Sequence, residues 1–71
     1  MQNLANWLLD NRDLFDVYNV HDFCGIMIYM VAAYNNKKFM EEFHLDYAVY
    51  YEIEKYDIKE VNDVIIIVEM P

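Results

Sequence analysis

The longest uncharged segment of the chain is Phe23–Tyr34, which reads FCGIMIYMVAAY and has no strongly polar group apart from tyrosine hydroxyls. A segment that is apolar nearly all round is typical of a helix buried on most sides. Asn19 is a suitable N-cap, and Asp22 at the third helical position favours the positive end of the helix dipole. The pattern therefore predicts a buried central helix over about 20–34, in which Gly25 permits close approach of a neighbouring backbone.

Two shorter amphipathic helices are expected on either side of this segment, at Asn3–Asp10 and Lys37–His44. Their apolar faces comprise Leu4, Trp7 and Leu8 in the first helix and Phe39, Met40 and Phe43 in the second. Asn35–Asn36 ends the central helix and caps the next one, although a single kinked helix over 20–44 fits the same residues. A brief helical turn is expected at Leu14–Tyr18.

The C-terminal third contains Val64–Val68, a β-branched run that predicts a buried strand. A strand needs a partner for its backbone groups, and the alternating apolar positions of Tyr47–Lys55 make that segment the best partner within the chain. The sequence thus predicts a small α+β domain with N-terminal helices around the central helix, packed on a β-hairpin of about 47–55 and 63–69. The connection of this hairpin is expected from about Tyr56 to Asn62.

The segment 47–55 also has apolar residues at helical spacing, which leaves a second interpretation of the fold. If it is a helix, the domain is mostly α, and its C-terminal strand pairs with a second copy in a dimer.

Length and composition limit the class of protein. Seventy-one residues predict one compact domain over 1–71, and an apolar share of 58% favours a folded chain over an acidic tail. One cysteine allows no disulfide within the chain, and the N-terminal residues lack the basic region of a signal peptide. Because Phe23–Tyr34 is shorter than the roughly 20 residues of a membrane helix, a cytoplasmic protein without a membrane partner is expected.

Candidate catalytic and metal-binding residues are few. His21, Cys24 and His44 do not make up the four ligands of a typical zinc site, so His21 is expected at a helix start and Cys24 as a small buried residue. The chain has no serine or threonine for a hydroxyl nucleophile and no glycine-rich phosphate loop. We expect neither an enzyme nor a metal or cofactor.

The net charge of −8 is concentrated in residues 39–71, which hold nine of the thirteen acids and two of the five basic residues. Such a field opposes direct nucleic-acid binding and attracts a basic protein surface. Because tyrosine is enriched at interfaces and carboxylates bind Arg or Lys, we predict a partner-binding surface on the acidic, tyrosine-containing segment. Its members are Glu41, Glu42, Asp46, Tyr50, Tyr51, Glu52, Glu54, Asp57 and Glu60.

Two arrangements of this surface follow from the two interpretations of the fold. In a helix over 46–60, Asp46, Glu54, Asp57 and Glu60 share one face; in the hairpin, Glu52 and Glu54 project beside Tyr50. The alternative to a binding surface is an acidic face that keeps the protein in solution while the tyrosines serve the core.

In size, acidity and aromatic content the chain resembles the small phage-encoded inhibitors, which include anti-CRISPR, anti-restriction and other DNA-mimic proteins. The resemblance implies a non-catalytic inhibitor that presents carboxylates to the basic nucleic-acid groove of an enzyme. The competing hypothesis is a small structural or regulatory protein that acts through homo-oligomerisation of its C-terminal strand.

Overall fold

The computed structural model describes residues 3–48 and 56–69, which form a four-stranded antiparallel sheet with two short α-helices. The elements in chain order are α1 (Leu4–Asp10), a 3-10 turn (Arg12–Leu14), β1 (Phe15–Phe23), β2 (Ile26–Ala33), α2 (Asn36–Glu42), a π-helix (Phe43–Ala48), β3 (Tyr56–Val61) and β4 (Val64–Glu69). The strand order in the sheet is β1-β2-β4-β3, and every neighbouring pair is antiparallel.

The predicted central helix over about 20–34 is wrong, because these residues form most of the β1–β2 hairpin. Cys24 and Gly25 make its two-residue turn, with φ angles of 53° and 81°. Left-handed conformations at both central positions suit a two-residue hairpin, and glycine adopts them without strain. A Cβ at Gly25 would meet no atom within 4 Å, so the turn conformation, not a close backbone approach, accounts for this glycine.

The uniform apolarity of this segment reflects a strand with two apolar faces. One face of β2 carries Tyr29 and Val31, which are buried under the helices. The opposite face carries Ile28 and Met30, which the helices do not cover. Because side chains of a strand point alternately to its two faces, a strand with two apolar faces is apolar at successive positions. It therefore lacks the alternation of polar and apolar residues by which a strand is recognised.

The C-terminal strand predicted at 63–69 is confirmed as β4, but its predicted hairpin partner is wrong. The partner is β3, whose residues Tyr56–Val61 had been assigned to the connection. Asn62 and Asp63, with φ angles of 50° and 66°, form the turn, because asparagine and aspartate tolerate this region. Tyr47 begins no strand but lies in the π-helix, and residues 49–55 lie outside the described residues.

The position of β4 between β2 and β3 also overturns the mostly helical alternative. Both sides of the β4 backbone are paired within the chain, so this strand has no free edge for a second copy. The kinked helix over 20–44 is likewise wrong, and Leu14–Tyr18 divides between the end of the 3-10 turn and the start of β1.

The two predicted amphipathic helices are confirmed in the structure with slightly different bounds. Asn3 caps α1 by accepting a hydrogen bond from the backbone nitrogen of Asn6 at 2.9 Å. Asn35 caps α2 in the same way, accepting from Lys38 at 3.0 Å. Both caps satisfy backbone donors that a helix start leaves unpaired.

The core lies between the helices and one sheet face, and Trp7 is at its centre. Its ring centroid lies 5.7 Å from those of Phe39 and Phe43, in edge-to-face contacts, and 6.1 Å from that of Tyr47. The sheet contributes Tyr29, Val31, Ile65 and Ile67 to the same buried cluster. Edge-to-face packing is the favourable geometry for aromatic pairs, so the contacts of Trp7 hold the helical segments against one another.

Candidate functional site

A groove lies between the helical segment and the edge strand β3, and we call it the α2–β3 groove. It has a volume of about 620 Å³ and is lined by Lys37, Met40, Glu41, His44, Leu45 and Glu60. The lining residues from α2 are Lys37, Met40 and Glu41. The π-helix supplies His44 and Leu45, and β3 supplies Glu60. Two carboxylates from different elements therefore flank an apolar surface that includes Leu45, which is 72% exposed.

A second depression of about 500 Å³ has Glu60 in common with the α2–β3 groove. It is lined by Ala33, Tyr34, Asn36, Glu60 and Asp63. Tyr34 is 70% exposed, and Asp63 belongs to the β3–β4 turn. The carboxylates of Glu41, Glu60 and Asp63 thus follow one edge of the molecule beside exposed apolar side chains.

The chemistry of this edge suits an amphipathic basic segment of another protein. Carboxylates accept charge-assisted hydrogen bonds from Arg or Lys, while Leu45 and Tyr34 offer apolar area to the stems of such side chains. Lys37 also lines the groove, and its charge offsets one of the two carboxylates. The arrangement therefore offers hydrogen-bond acceptors and apolar area side by side on one edge of the molecule.

Of the predicted partner-binding residues, Glu41 and Glu60 are brought together in the α2–β3 groove. Glu42 is exposed on α2 and does not line it. Asp57 projects to the opposite sheet face from Glu60, since the two are three positions apart in a strand. The predicted helix over 46–60 that aligns their carboxylates is therefore wrong for residues 56–60.

Asp46 has a structural partner, because its Oδ2 accepts a hydrogen bond of 2.6 Å from the indole nitrogen Nε1 of Trp7. A charged acceptor strengthens such a bond, so this carboxylate supports the core aromatic that it contacts. The remaining predicted residues, Tyr50, Tyr51, Glu52 and Glu54, lie outside the described residues.

Sequence patterns did not single out Tyr34, Leu45 or Asp63 as site residues. Tyr34 falls at the end of the buried helix predicted over about 20–34. Asp63 falls at the start of the strand predicted over 63–69, whereas the structure places it in the β3–β4 turn. The exposed apolar residues could be recognised only from the correct strands, which place them at an edge.

The sequence-level candidates for metal binding and nucleophilic catalysis are separated in the structure. His21 is exposed in β1, and Cys24 is exposed in the hairpin turn, so the prediction of a buried cysteine is wrong. Among residues 3–48 and 56–69, no group of three or more His, Cys, Asp or Glu side chains is arranged to hold a metal ion.

Tyrosine hydroxyls also lie within or beside the core. The hydroxyls of Tyr47 and Tyr56 lie 2.7 Å apart. Burial, followed by the negative charge of Glu69, raises the pKa of Tyr29 to about 12. Burial and the bond to Tyr56 raise the pKa of Tyr47 well above its usual range. These phenols stay neutral at physiological pH and act as structural groups.

Comparison with known proteins identified no matching family model, no matching curated protein and no matching solved structure. Within the residues that the structure describes, none of the helices has the length and apolar character needed to cross a membrane.

Proposed function

We propose that the protein is a small non-catalytic binding protein whose α2–β3 groove takes a basic segment of another protein. The observation that carries the proposal is the convergence of Glu41 and Glu60, from separate elements, on a groove with an exposed apolar surface. An apolar surface bordered by carboxylates is complementary to a segment that carries both aliphatic area and positive charge.

The charge of the whole chain supports the same partner. A net charge of −8 produces a long-range field that steers cationic surfaces toward the protein and raises their association rate. The groove then supplies short-range contacts through Leu45, Met40 and the two carboxylates. Steering makes binding sensitive to salt, whereas the apolar contacts determine how long the complex persists.

Among proteins with basic segments, we propose a nucleic-acid-binding enzyme in the cytoplasm as the target and inhibition as the result. Such enzymes hold their substrate in a groove lined by Lys and Arg, which is the surface that an acidic protein of this size complements. Carboxylates such as those of Glu41, Glu60 and Asp63 would take the place of phosphates. An anti-defence protein of the DNA-mimic type, directed at an RNA-guided nuclease or a restriction enzyme, fits this proposal.

The proposal predicts that Glu41→Gln combined with Glu60→Gln weakens inhibition by at least about tenfold, a loss of about 1.4 kcal/mol. DNA cleavage by an RNA-guided nuclease and by a restriction enzyme is measured against the concentration of added protein. The unmodified protein should inhibit one of these enzymes, and inhibition should weaken as the salt concentration rises.

The matched control is Asp13→Asn combined with Asp16→Asn, which removes the same number of charges from exposed residues that do not line the groove. This variant should retain nearly full inhibition, because only the long-range field changes. Equal losses in the two variants would show that net charge alone acts. An absence of inhibition of both enzymes would contradict the proposed target class.

A further inference from the structure

The face of the sheet that points away from the helices is also apolar, and we call it the open sheet face. The strand register fixes its members, because paired residues of antiparallel strands point to the same side. One row across the sheet contains Asn19, Met30, Ile66 and Lys59, and the next contains His21, Ile28, Val68 and Asp57. Val17, Phe23, Ile26, Ala32, Val61 and Val64 extend the face at its two ends.

This face differs from the solvent side of an ordinary antiparallel sheet, which alternates polar residues with the core positions. Phe23 is 67% exposed and Val17 is 55% exposed. On the two central strands, Met30 is 37% exposed, and Ile28, Ile66 and Val68 are half-buried. A continuous apolar patch on this scale marks an interaction surface.

The charges on the open sheet face identify its partner. In a chain of net charge −8, Asp57 is the one acid among the described, paired strand residues on this side. It lies beside Lys59, with 3.8 Å between the Lys59 Nζ and an Asp57 carboxylate oxygen. The charges of this Lys and this Asp offset one another, so a strongly charged partner would gain little from the face.

We infer that the open sheet face binds the same face of a second copy, forming a two-layered sandwich dimer. The two-fold axis lies between the two sheets, runs perpendicular to the strands and passes between the two central rows. It places the row that contains Lys59 over the row that contains the partner's Asp57. Two symmetric Lys–Asp pairs then form at the border, each with one residue from each copy, while Met30, Ile66, Ile28 and Val68 fill the centre. An apolar centre with a polar border is the usual anatomy of an interface, and sheets pack face to face in this manner.

The size of the face sets the strength of this dimer. Four strands about 4.8 Å apart, with about six residues each at about 3.3 Å, span roughly 400 Å² per copy. Because side chains expose more area than the plane beneath them, two copies bury about 1,000 Å² in total, near the lower limit of specific interfaces. We therefore expect a reversible dimer with a dissociation constant in the micromolar range, roughly 1 to 100 µM.

Sedimentation equilibrium over roughly 1 to 200 µM tests the inference. Met30→Lys should weaken association by at least about tenfold, because it places a charge in the apolar centre. Leu9→Lys is the matched control, since Leu9 is an exposed apolar residue of α1 on the helical side. It should leave association unchanged. A wild-type protein that stays monomeric throughout, or a Met30→Lys variant that associates as strongly as wild type, would overturn the inference.

A second pair of variants tests the same face with little risk to folding, since the side chains of Lys59 and Asp57 are both largely exposed. Lys59→Glu leaves each copy with two acids on the border and should weaken association. The exchange of both charges, Asp57→Lys with Lys59→Asp, restores opposite charges across the interface and should restore association. If the variant with both charges exchanged associates as weakly as Lys59→Glu, the two-fold arrangement described above is wrong.

Salt separates this inference from the proposed function. Two copies of net charge −8 repel one another, so salt that screens this repulsion should strengthen the dimer. Binding of a basic partner to the α2–β3 groove should weaken under the same change. Glu41→Gln with Glu60→Gln should leave the dimer intact, so either surface can fail its test while the other stands.

Discussion

Replacing Trp7 by alanine is expected to remove a large part of the free energy that keeps the protein folded. Trp7 is 1% exposed, and its ring contacts Phe39, Phe43 and Tyr47, so alanine would leave a cavity between the helices. Truncation of a buried aromatic residue costs about 3 to 5 kcal/mol. A domain of 71 residues has a free energy of unfolding of about 4 to 10 kcal/mol, so the loss is a large part of the total.

Urea unfolding followed by far-ultraviolet circular dichroism measures this effect, with two control variants. Trp7→Phe keeps an aromatic ring but removes the Nε1–H group that donates to Asp46. It should lower the free energy of unfolding by about 1.5 to 3 kcal/mol. Leu9→Ala, on the exposed side of the same helix, should change the free energy of unfolding by less than about 0.5 kcal/mol. A Trp7→Ala variant as stable as Leu9→Ala would contradict the placement of Trp7 at the centre of the core.

Alkaline solution is expected to unfold the protein as the pH rises from about 10 toward 12. The pKa of Tyr29 is raised from 10.0 to about 12 in the folded protein, mainly by burial. Between these values the unfolded chain releases the phenolic proton while the folded chain retains it. The free energy of unfolding therefore falls with rising pH, by up to about 1.4 kcal/mol per pH unit for each such group. The raised pKa of Tyr47 acts in the same direction.

Tyr29→Phe separates this effect from the general charging of the chain at high pH. Phenylalanine has no proton to release, so the variant should unfold at a higher pH than the wild-type protein. Tyr34→Phe is the control, because Tyr34 is 70% exposed and should leave the pH midpoint unchanged. Circular dichroism against pH gives the three midpoints. The expectation fails if Tyr29→Phe and Tyr34→Phe unfold at the same pH.

Sequence patterns predicted the elements that depend on residues only a few positions apart in the chain. The spacing of Leu4, Trp7 and Leu8 gave α1, and Asn35 gave the start of α2, because capping and helical periodicity depend on residues a few positions apart. The β-branched run at Val64–Val68 gave β4 for the same reason.

The β1–β2 hairpin could not be predicted from periodicity, because both faces of β2 are apolar. The only local signal was Gly25 between two runs, and it was interpreted as a helix residue. Likewise, β3 contains Asp57, Lys59 and Glu60, and these charged residues favoured the prediction of a loop where the structure has an edge strand. Such residues are common on edge strands, where one side of the backbone is unpaired.

The candidate site was predictable in residue type but not in arrangement. Acidity selected Glu41 and Glu60, which the fold brings to one groove. It could not reveal that Asp46 supports Trp7 or that Asp57 lies on the open sheet face. The face on which Asp57 lies depends on strand register, which a one-residue shift would reverse, and the Trp7–Asp46 bond depends on the packing of two helical segments.

The division of the sheet into a covered face and an open face underlies both proposed surfaces, and thiol labelling of single cysteines tests it directly. In a Cys24→Ser background and at dilute concentration, Met30→Cys and Ile66→Cys should react rapidly, because both positions lie on the open sheet face. Val31→Cys and Ile67→Cys, which are fully buried, should react only as fast as the protein unfolds. Equal protection of Met30→Cys and Val31→Cys would indicate a segment buried on all sides and would contradict the two-faced sheet.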